Sequence, residues 1–468
     1  MSASGFPEKA ANRQRVILDH LSQAQAVPMA ETTLERVPTS AGDSAAYERR
    51  ASSADDVVIV SALRTPICRA KRGGFKDTLA DDLMTAVFKA TIQQTGIEPE
   101  AIQDIVIGSV LGPSSQRANE CRIASLLAGI PETVPVYTVN RQCSSGLQAV
   151  ACVASAIKAG FYTVGLAGGV ESMSLNPMAW EGGVNPKIEN NPRAQSCLLP
   201  MGITSENVSA KYNIPREAQD KMAARSHARA AAATASGRFK DEIVPVHTVW
   251  KDPKTGEEKS LVVDKDDGVR PGVSAQQLAG LKAVFKKGGT TTAGNSSQVS
   301  DGAAAVLLMT RREAQRRSMP ILGIFRSFAA VGVDPAVMGI GPAFAIPAAL
   351  KQANLSVEDI DLFELNEAFA SQATFCCDHL NLDQEKVNVN GGAIAMGHPL
   401  GATGARCTAT LLHEMNKRGK SSRFGIVSMC IGSGMGAAAV FERGGEVDNV
   451  KNARSVATQD YLSRDAAV

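Results

Sequence analysis

From residue 57 onward the chain alternates short apolar runs with helical stretches. Val57-Val58-Ile59-Val60 is the first clear strand, residues 79–94 follow as a helix, and Ile105-Val106-Ile107-Gly108 is a second strand. Residues 134–139 are extended and give way to a small-residue helix over 147–159. The order then recurs. A helix over 342–353 leads through Asn354-Leu355-Ser356-Val357-Glu358-Asp359-Ile360 to the strand Leu362-Phe363-Glu364-Leu365. Residues 79–94 lead in the same way through Gly96-Ile97-Glu98-Pro99-Glu100-Ala101-Ile102 to residue 105. Each half next reaches a short strand ending in asparagine, at Asn140 and Asn390, then a Gly-containing turn and a helix, 147–159 and 402–417. Residues 303–309 and 437–441 correspond as late strands. A shared order of this length points to internal duplication. Strands alternating with helices place the fold in the α/β class, with helices covering a largely buried sheet.

The pattern divides the chain. Residues 1–55 carry no strand pattern and read as a leader to be kept out of fold reasoning. Residues 56–170 with 290–315 form the first half, 316–445 the second, and 446–468 a charged tail. Residues 171–289 read as an irregular insertion, with clusters such as Gly182-Gly183, Asn190-Asn191-Pro192 and Lys251-Asp252-Pro253-Lys254-Thr255-Gly256. A segment this long is expected to be a lid or binding domain.

Composition narrows the classes. With 468 residues, 44% of them hydrophobic, the chain can bury more than one core. A net charge of +2 offers no strong field for nucleic acid or an anionic membrane, and no apolar run approaches a bilayer span of about 20 residues. The nine cysteines are odd in number and irregularly spaced, which argues against a secreted disulfide framework. None has zinc-site spacing, so reduced thiols and no metal are expected.

The candidate chemistry starts at Val139-Asn140-Arg141-Gln142-Cys143-Ser144-Ser145-Gly146, which puts a thiol where a strand turns into a helix. Peptide dipoles and free N–H groups there favour the thiolate. Cys143 is therefore either a nucleophile or a small packing residue. Gly397-His398-Pro399-Leu400-Gly401-Ala402-Thr403-Gly404 holds the corresponding place in the second half. If the halves pack with pseudo-twofold symmetry, both turns meet in one cleft. His398 is then either the base for Cys143 or a histidine buried in a tight turn. In Ser428-Met429-Cys430-Ile431-Gly432-Ser433-Gly434-Met435-Gly436 a second cysteine enters a glycine-rich turn whose N–H groups could approach a substrate oxygen. Asn366, in Asn366-Glu367-Ala368-Phe369, either holds a water or ends a strand.

These four motifs, in this order, resemble the thiolase family. The resemblance runs from about Val57 to Arg443 and includes Ser61-Ala62-Leu63-Arg64-Thr65-Pro66, Gly168-Gly169-Val170-Glu171-Ser172-Met173 and Thr292-Ala293-Gly294-Asn295-Ser296-Ser297 with Asp301-Gly302-Ala303-Ala304. The likeness is strongest to the peroxisomal 3-ketoacyl-CoA thiolases of plants. It implies a duplicated five-layered α-β-α-β-α core with an inserted loop domain, and a homodimer. It also implies an activity: cleavage of 3-ketoacyl-CoA by CoA into acetyl-CoA and a shortened acyl-CoA. Cys143 would carry the acyl group, Cys430 would move the proton, and His398 would activate Cys143. His398 with a water on Asn366 would form one oxyanion site, and the N–H groups of Cys143 and Gly432 the second. Ser297 would lie by the CoA pantetheine. CoA is a substrate, and no cofactor is expected, since two thiols and an imidazole suffice for the chemistry.

Two features lie outside that core. Arg13-Gln14-Arg15-Val16-Ile17-Leu18-Asp19-His20-Leu21 matches the nonapeptide of the second peroxisomal targeting type, carried by Arg13, Gln14, His20 and Leu21 and read by an import receptor. The leader's acidic residues count against a mitochondrial presequence. Cys197, ahead of Leu198-Leu199-Pro200-Met201-Gly202, is either an ordinary semi-buried cysteine or a redox partner for a low-pKa Cys143. Three rivals remain. A biosynthetic acetoacetyl-CoA thiolase shares every motif. A ketoacyl-synthase-like condensing enzyme would pair its cysteine with two histidines, or with one histidine and an asparagine. A non-enzymatic lipid carrier would lack one of the reactive groups.

Overall fold

The computed structural model describes residues 53–113, 116–179 and 182–446. The leader residues Arg13, Gln14, His20 and Leu21 lie outside them. The first half contributes β1 (Val57–Arg64), β2 (Cys68–Arg69), helix α1 (Ala80–Thr95), β3 (Ile105–Gly108), α2 (Gln116–Leu127), β4 (Val136–Val139), α3 (Ser145–Lys158) and β5 (Val164–Ser172). The intervening segment holds α4 (Met201–Lys211), α5 (Arg216–Ala235) and the hairpin of β6 (Val246–Lys251) and β7 (Glu258–Val263). Then come β8 (Ser300–Thr310), β9 (Ile321–Gly332), α6 (Gly341–Gln352), β10 (Leu362–Leu365), α7 (Ala370–His379), α8 (Leu400–Arg418), β11 (Phe424–Ile431) and β12 (Met435–Glu446). Among the described residues no helix is long and apolar enough to cross a membrane.

The duplication is visible in the sheet. Its strands run β10-β11-β12-β9-β1-β8-β5-β3-β4, with the two halves meeting at the antiparallel pair β9 and β1. Outward from that junction each half repeats the same senses. An antiparallel partner comes first, β8 or β12, then a second antiparallel strand, β5 or β11. A parallel strand follows, β3 or β10. The match ends at the rim. β4 is a true parallel strand on β3, whereas residues 387–390, expected as its twin, make only one parallel bridge, Phe363 to Val387. A second departure concerns the insertion. The segment read as irregular contains an 11-residue and a 20-residue helix, because its Pro and Gly clusters punctuate helices rather than replace them.

Side-chain alternation along the strands separates the layers. In β1, Val58 and Val60 face a core shared with α1 and α2, while Val57 and Ile59 face a core shared with α3 and α8. In β12, Ala438 and Val440 face α6 and α7, while Ala437, Ala439 and Phe441 face the same α3 and α8. Helices α3 and α8 are thus the middle layer of an α-β-α-β-α stack, covered by a sheet on each side. Small residues let them approach closely. A Cβ on Gly146 would lie 2.7 Å from the Gly401 carbonyl oxygen and 2.8 Å from the Ala405 nitrogen. This crossing sets the distance between the N-terminal ends of the two helices, where Cys143 and His398 sit.

Candidate active site

Cys143 lies two residues ahead of α3, in a turn that local side chains close. The Gln142 N–H donates to Asn140 Oδ1 at 2.9 Å, the Ser144 hydroxyl to the Arg141 carbonyl at 3.0 Å, and the Ser145 hydroxyl to the Gln142 carbonyl at 2.6 Å. These bonds hold Gln142 in the left-handed region at φ 49°, a conformation that costs a non-glycine residue about 1–3 kcal/mol. The turn therefore lifts Cys143 out of the helix and toward the second half. There the Gly432 N–H meets its sulfur, together with the N–H of Cys143 itself. These are the two amides that the family resemblance assigns to an oxyanion site.

The expected thiolate is not the resting form. Burial pushes the Cys143 thiol up to about 11, and the nearby Glu171 carboxylate adds to it, while the two N–H groups pull only part of the way back. The dipole argument fails here because Cys143 is 9% exposed, so desolvation outweighs a partial charge at a helix end. A low-pKa Cys143 as the basis for exchange with Cys197 is corrected for the same reason. What remains is proximity. Cys197 is exposed, with its sulfur 3.9 Å from the Ser433 carbonyl, next to the residue whose N–H reaches Cys143. All nine cysteines are free.

His398 precedes α8 and is buried. Its N–H donates to the Gln298 carbonyl at 2.9 Å, its Nδ1 lies 2.7 Å from Thr403 Oγ1, and its Nε2 lies 3.3 Å from Asn366 Nδ2. Burial, and the positive charge of Arg406, lower its pKa to about 3. The ring is a neutral base at any physiological pH. Asn366 stands just past β10, anchored by its N–H on the Ser428 carbonyl at 2.9 Å. Its Oδ1 is buried with no partner in the protein, so an unfilled acceptor sits beside the imidazole. Cys430 is the last but one residue of β11, opposite Gly436, and is fully buried; its thiol is held well above the ordinary value, first by burial and then by the neighbouring thiols of Cys143 and Cys376. It rests as S–H, the form a proton donor needs. Ser433 and Gly434 both take positive φ, and a Cβ on Gly434 would meet the Val333 carbonyl at 2.5 Å. Only glycine fits there.

The structure therefore sets Cys143 on the Gly432 N–H with the Cys430 thiol as its neighbour, and pairs His398 with Asn366, which is anchored on the strand that carries Cys430. Ser297 borders them, half-buried, with its N–H on the Ala368 carbonyl at 3.0 Å. Sequence reasoning assigned no role to Glu171 or Thr403, although both stand in quoted motifs. The Glu171 carboxylate accepts N–H bonds from Val110 at 2.9 Å, Leu111 at 3.0 Å and Gly401 at 2.9 Å, and the Ser109 hydroxyl at 3.2 Å. It fastens the end of β5 and the loop after β3 to the start of α8, across the two halves. A charged residue in an otherwise apolar buried strand was the available signal. Arg64, from the opening motif, is buried between Glu242 at 2.6 Å and Asp266 at 2.7 Å and locks the insertion to β1.

Residues 57–312 match the family described as thiolase, N-terminal domain, and residues 319–443 match thiolase, C-terminal domain. The chain is 63% identical over 460 residues to 3-ketoacyl-CoA thiolase 2, peroxisomal, of Arabidopsis thaliana, covering 98% of this chain and 100% of that one. Among solved structures, the dimeric peroxisomal thiolase of Saccharomyces cerevisiae superposes with a TM-score of 0.77 at 44% identity, over 84% of this chain and 98% of the other. Human mitochondrial 3-ketoacyl-CoA thiolase in complex with CoA superposes with a TM-score of 0.74 at 38% identity, over 83% and 98%. With the four motifs in register on a duplicated five-layered core, the chain belongs to the thiolase family.

Proposed function

We propose that this chain is a peroxisomal 3-ketoacyl-CoA thiolase, an acyltransferase that cleaves 3-ketoacyl-CoA with CoA in fatty-acid β-oxidation. Identity over nearly the full length to the peroxisomal plant enzyme supports the substrate class and the compartment. The observation that supports the mechanism is that Cys143, His398 and Cys430 are each buried and each neutral at rest, with the two thiols neighbours.

In the first step the Cys143 sulfur attacks the 3-keto carbon and its proton passes to His398. The bond between C2 and C3 breaks, the acyl group stays on Cys143 as a thioester, and acetyl-CoA leaves as an enolate. Cys430 gives that enolate its proton. The Cys430 thiolate then takes the proton of an incoming CoA thiol, CoA sulfur attacks the thioester to release the shortened acyl-CoA, and the departing Cys143 thiolate takes its proton back from His398. The N–H groups of Cys143 and Gly432 stabilise one oxyanion, and His398 with a water on the free Asn366 Oδ1 stabilises the other. Ser297 lies beside the CoA pantetheine. Cys197 forms a reversible disulfide with Cys143 under peroxide, with two thiols oxidised and peroxide reduced to water.

A second copy of the chain is the partner. β4 is the outer strand of the sheet, with Tyr137 exposed on it, and α2 beside it exposes Ile123, Leu126 and Leu127. An unpaired edge flanked by apolar side chains is suited to pairing with its own copy. Arg13, Gln14, His20 and Leu21 address the chain to a peroxisomal import receptor.

The test is a coupled assay. A medium-chain 3-ketoacyl-CoA and CoA are mixed with the protein, and loss of the substrate's magnesium-enolate absorbance is followed beside acetyl-CoA formation. Cleavage that needs CoA and vanishes in Cys143→Ala is the expected result. Acetoacetyl-CoA in parallel separates this enzyme from a short-chain biosynthetic one. No cleavage of either substrate by folded, reduced protein overturns the reading.

A further inference from the structure

The two ring nitrogens of His398 have different partners, and one of them decides where the proton sits. Thr403 occupies the first turn of α8 and is fully buried. Its hydroxyl lies 3.0 Å from the Pro399 carbonyl and 2.7 Å from His398 Nδ1. A hydroxyl has one proton and two lone pairs, and a carbonyl can only accept. With its proton on Pro399, Thr403 offers Nδ1 an acceptor. Nδ1 then carries the hydrogen, and Nε2 keeps a lone pair, with Asn366 Nδ2 3.3 Å away. The reverse arrangement, with Thr403 donating to Nδ1, would give up the Thr403 bond to the Pro399 carbonyl and put the proton on Nε2.

We propose that Thr403 is a positioning residue that holds His398 as the Nδ1–H tautomer, so that Nε2 is the base that takes the Cys143 proton. The inference rests on the thiolase reading, in which Cys143 is the nucleophile. When the S–H bond breaks, the proton forms an N–H bond at Nε2, and the resulting imidazolium still donates through Nδ1 to Thr403. The neutral ring and the high Cys143 pKa also mean that no thiolate waits preformed. Proton transfer to Nε2 must accompany attack.

The test compares wild type, Thr403→Ser and Thr403→Val as full-length protein. Two quantities are read: kcat and KM for thiolysis, and the rate of Cys143 alkylation by iodoacetamide from pH 6 to 9, located by peptide mapping. Wild type and Thr403→Ser are expected to agree within about threefold, with shallow pH profiles, because an internal base takes the thiol proton during attack at any pH in this range. Thr403→Val is expected to lose about 100-fold in kcat, the lower range for general-base catalysis, with KM little changed. Its alkylation should rise about tenfold per pH unit, as for a thiol ionised only by hydroxide. A shallow profile in Thr403→Val with kcat within threefold of wild type overturns the proposal. So does a loss in Thr403→Ser equal to that in Thr403→Val, which would assign the effect to packing of the methyl group. Should Thr403→Val fail to fold, Thr403→Ala reads the same profile. Wild type that is alkylated but does not cleave substrate sinks the thiolase reading instead, while the alkylation profiles still decide the role of Thr403.

Discussion

The close crossing of α3 and α8 makes Gly146→Ala a sharp perturbation of catalysis. The added methyl would sit 2.7 Å from the Gly401 oxygen and 2.8 Å from the Ala405 nitrogen, against 3.4 Å for ordinary contact. Both atoms are backbone of a buried helix, so no flexible side chain can yield. The shortfall is about 0.7 Å, and it must be met by moving the helices apart. Gly146 stands three residues after Cys143, and Gly401 three after His398, so the displacement falls on the pair proposed to exchange a proton. Misplacement of reacting groups by 1 Å costs about 100-fold, which scales here to about thirtyfold, or about 2 kcal/mol of activation free energy. Overpacking should also lower stability by about 1–3 kcal/mol. The assay is kcat/KM for thiolysis beside thermal unfolding, with activity measured well below the transition. A folded Gly146→Ala enzyme within threefold of wild type would refute the claim that this crossing sets the catalytic distance.

Other outcomes follow from the same contacts. Arg64→Ala leaves Glu242 and Asp266 buried without their cation and should destabilise by about 3–5 kcal/mol in urea unfolding; a change under about 1 kcal/mol would show that the pair is dispensable. Cys430→Ser removes the proposed proton donor, so thiolysis should fall about 10²–10⁴-fold while iodoacetamide still labels Cys143 at the wild-type rate; equal loss of labelling would place Cys430 in activating the nucleophile instead. Cys197→Ser should abolish the dithiol-reversible part of peroxide inactivation, and unchanged reversal would remove Cys197 from any switch. Burial, and then the charge of Arg270, lower the pKa of His227 to about 4. A folded pKa below the unfolded 6.5 gives stability that is present above pH 6.5 and lost as pH falls toward 4, because the unfolded chain binds the proton first. Glu364, raised to about 8 by burial, has the opposite sign: its contribution is full below 4.5 and lost as pH rises through 8. His227→Gln keeps an acceptor for the Arg270 N–H and should flatten the fall in melting temperature between pH 6.5 and 5. An unchanged slope would locate that acid sensitivity elsewhere.

Much of this molecule is legible locally. The strands β1, β3, β10 and β11, the duplication, and the turns bearing Cys143, His398, Cys430 and Asn366 follow from residues adjacent in the chain, because strand and turn preferences act over a few positions. The boundaries moved by only one or two residues at most ends, as at α1 and α6. β9 is the exception. Its apolar run is broken by Gly323 and Arg326, and it becomes a strand because β1 and β12 pair with it on both sides. Residues 387–390 fail in the other direction, since only Val387 finds a partner.

The chemistry of the site was decided by tertiary structure. A cysteine before a helix reads as a thiolate from local dipoles, yet the second half buries it, and desolvation reverses the sign. Thr403 reads as one more helix residue until the fold turns His398 Nδ1 onto it. Glu171 reads as a charge in a strand until Gly401, 230 positions away, brings it an N–H. The sequence by itself determined which reactive groups exist and the order in which they occur. Which of them are protonated, and which second group holds each in place, depends on burial and on contacts between the halves. Such contacts have no local signature, because the energy of a charge is set by everything the fold packs around it.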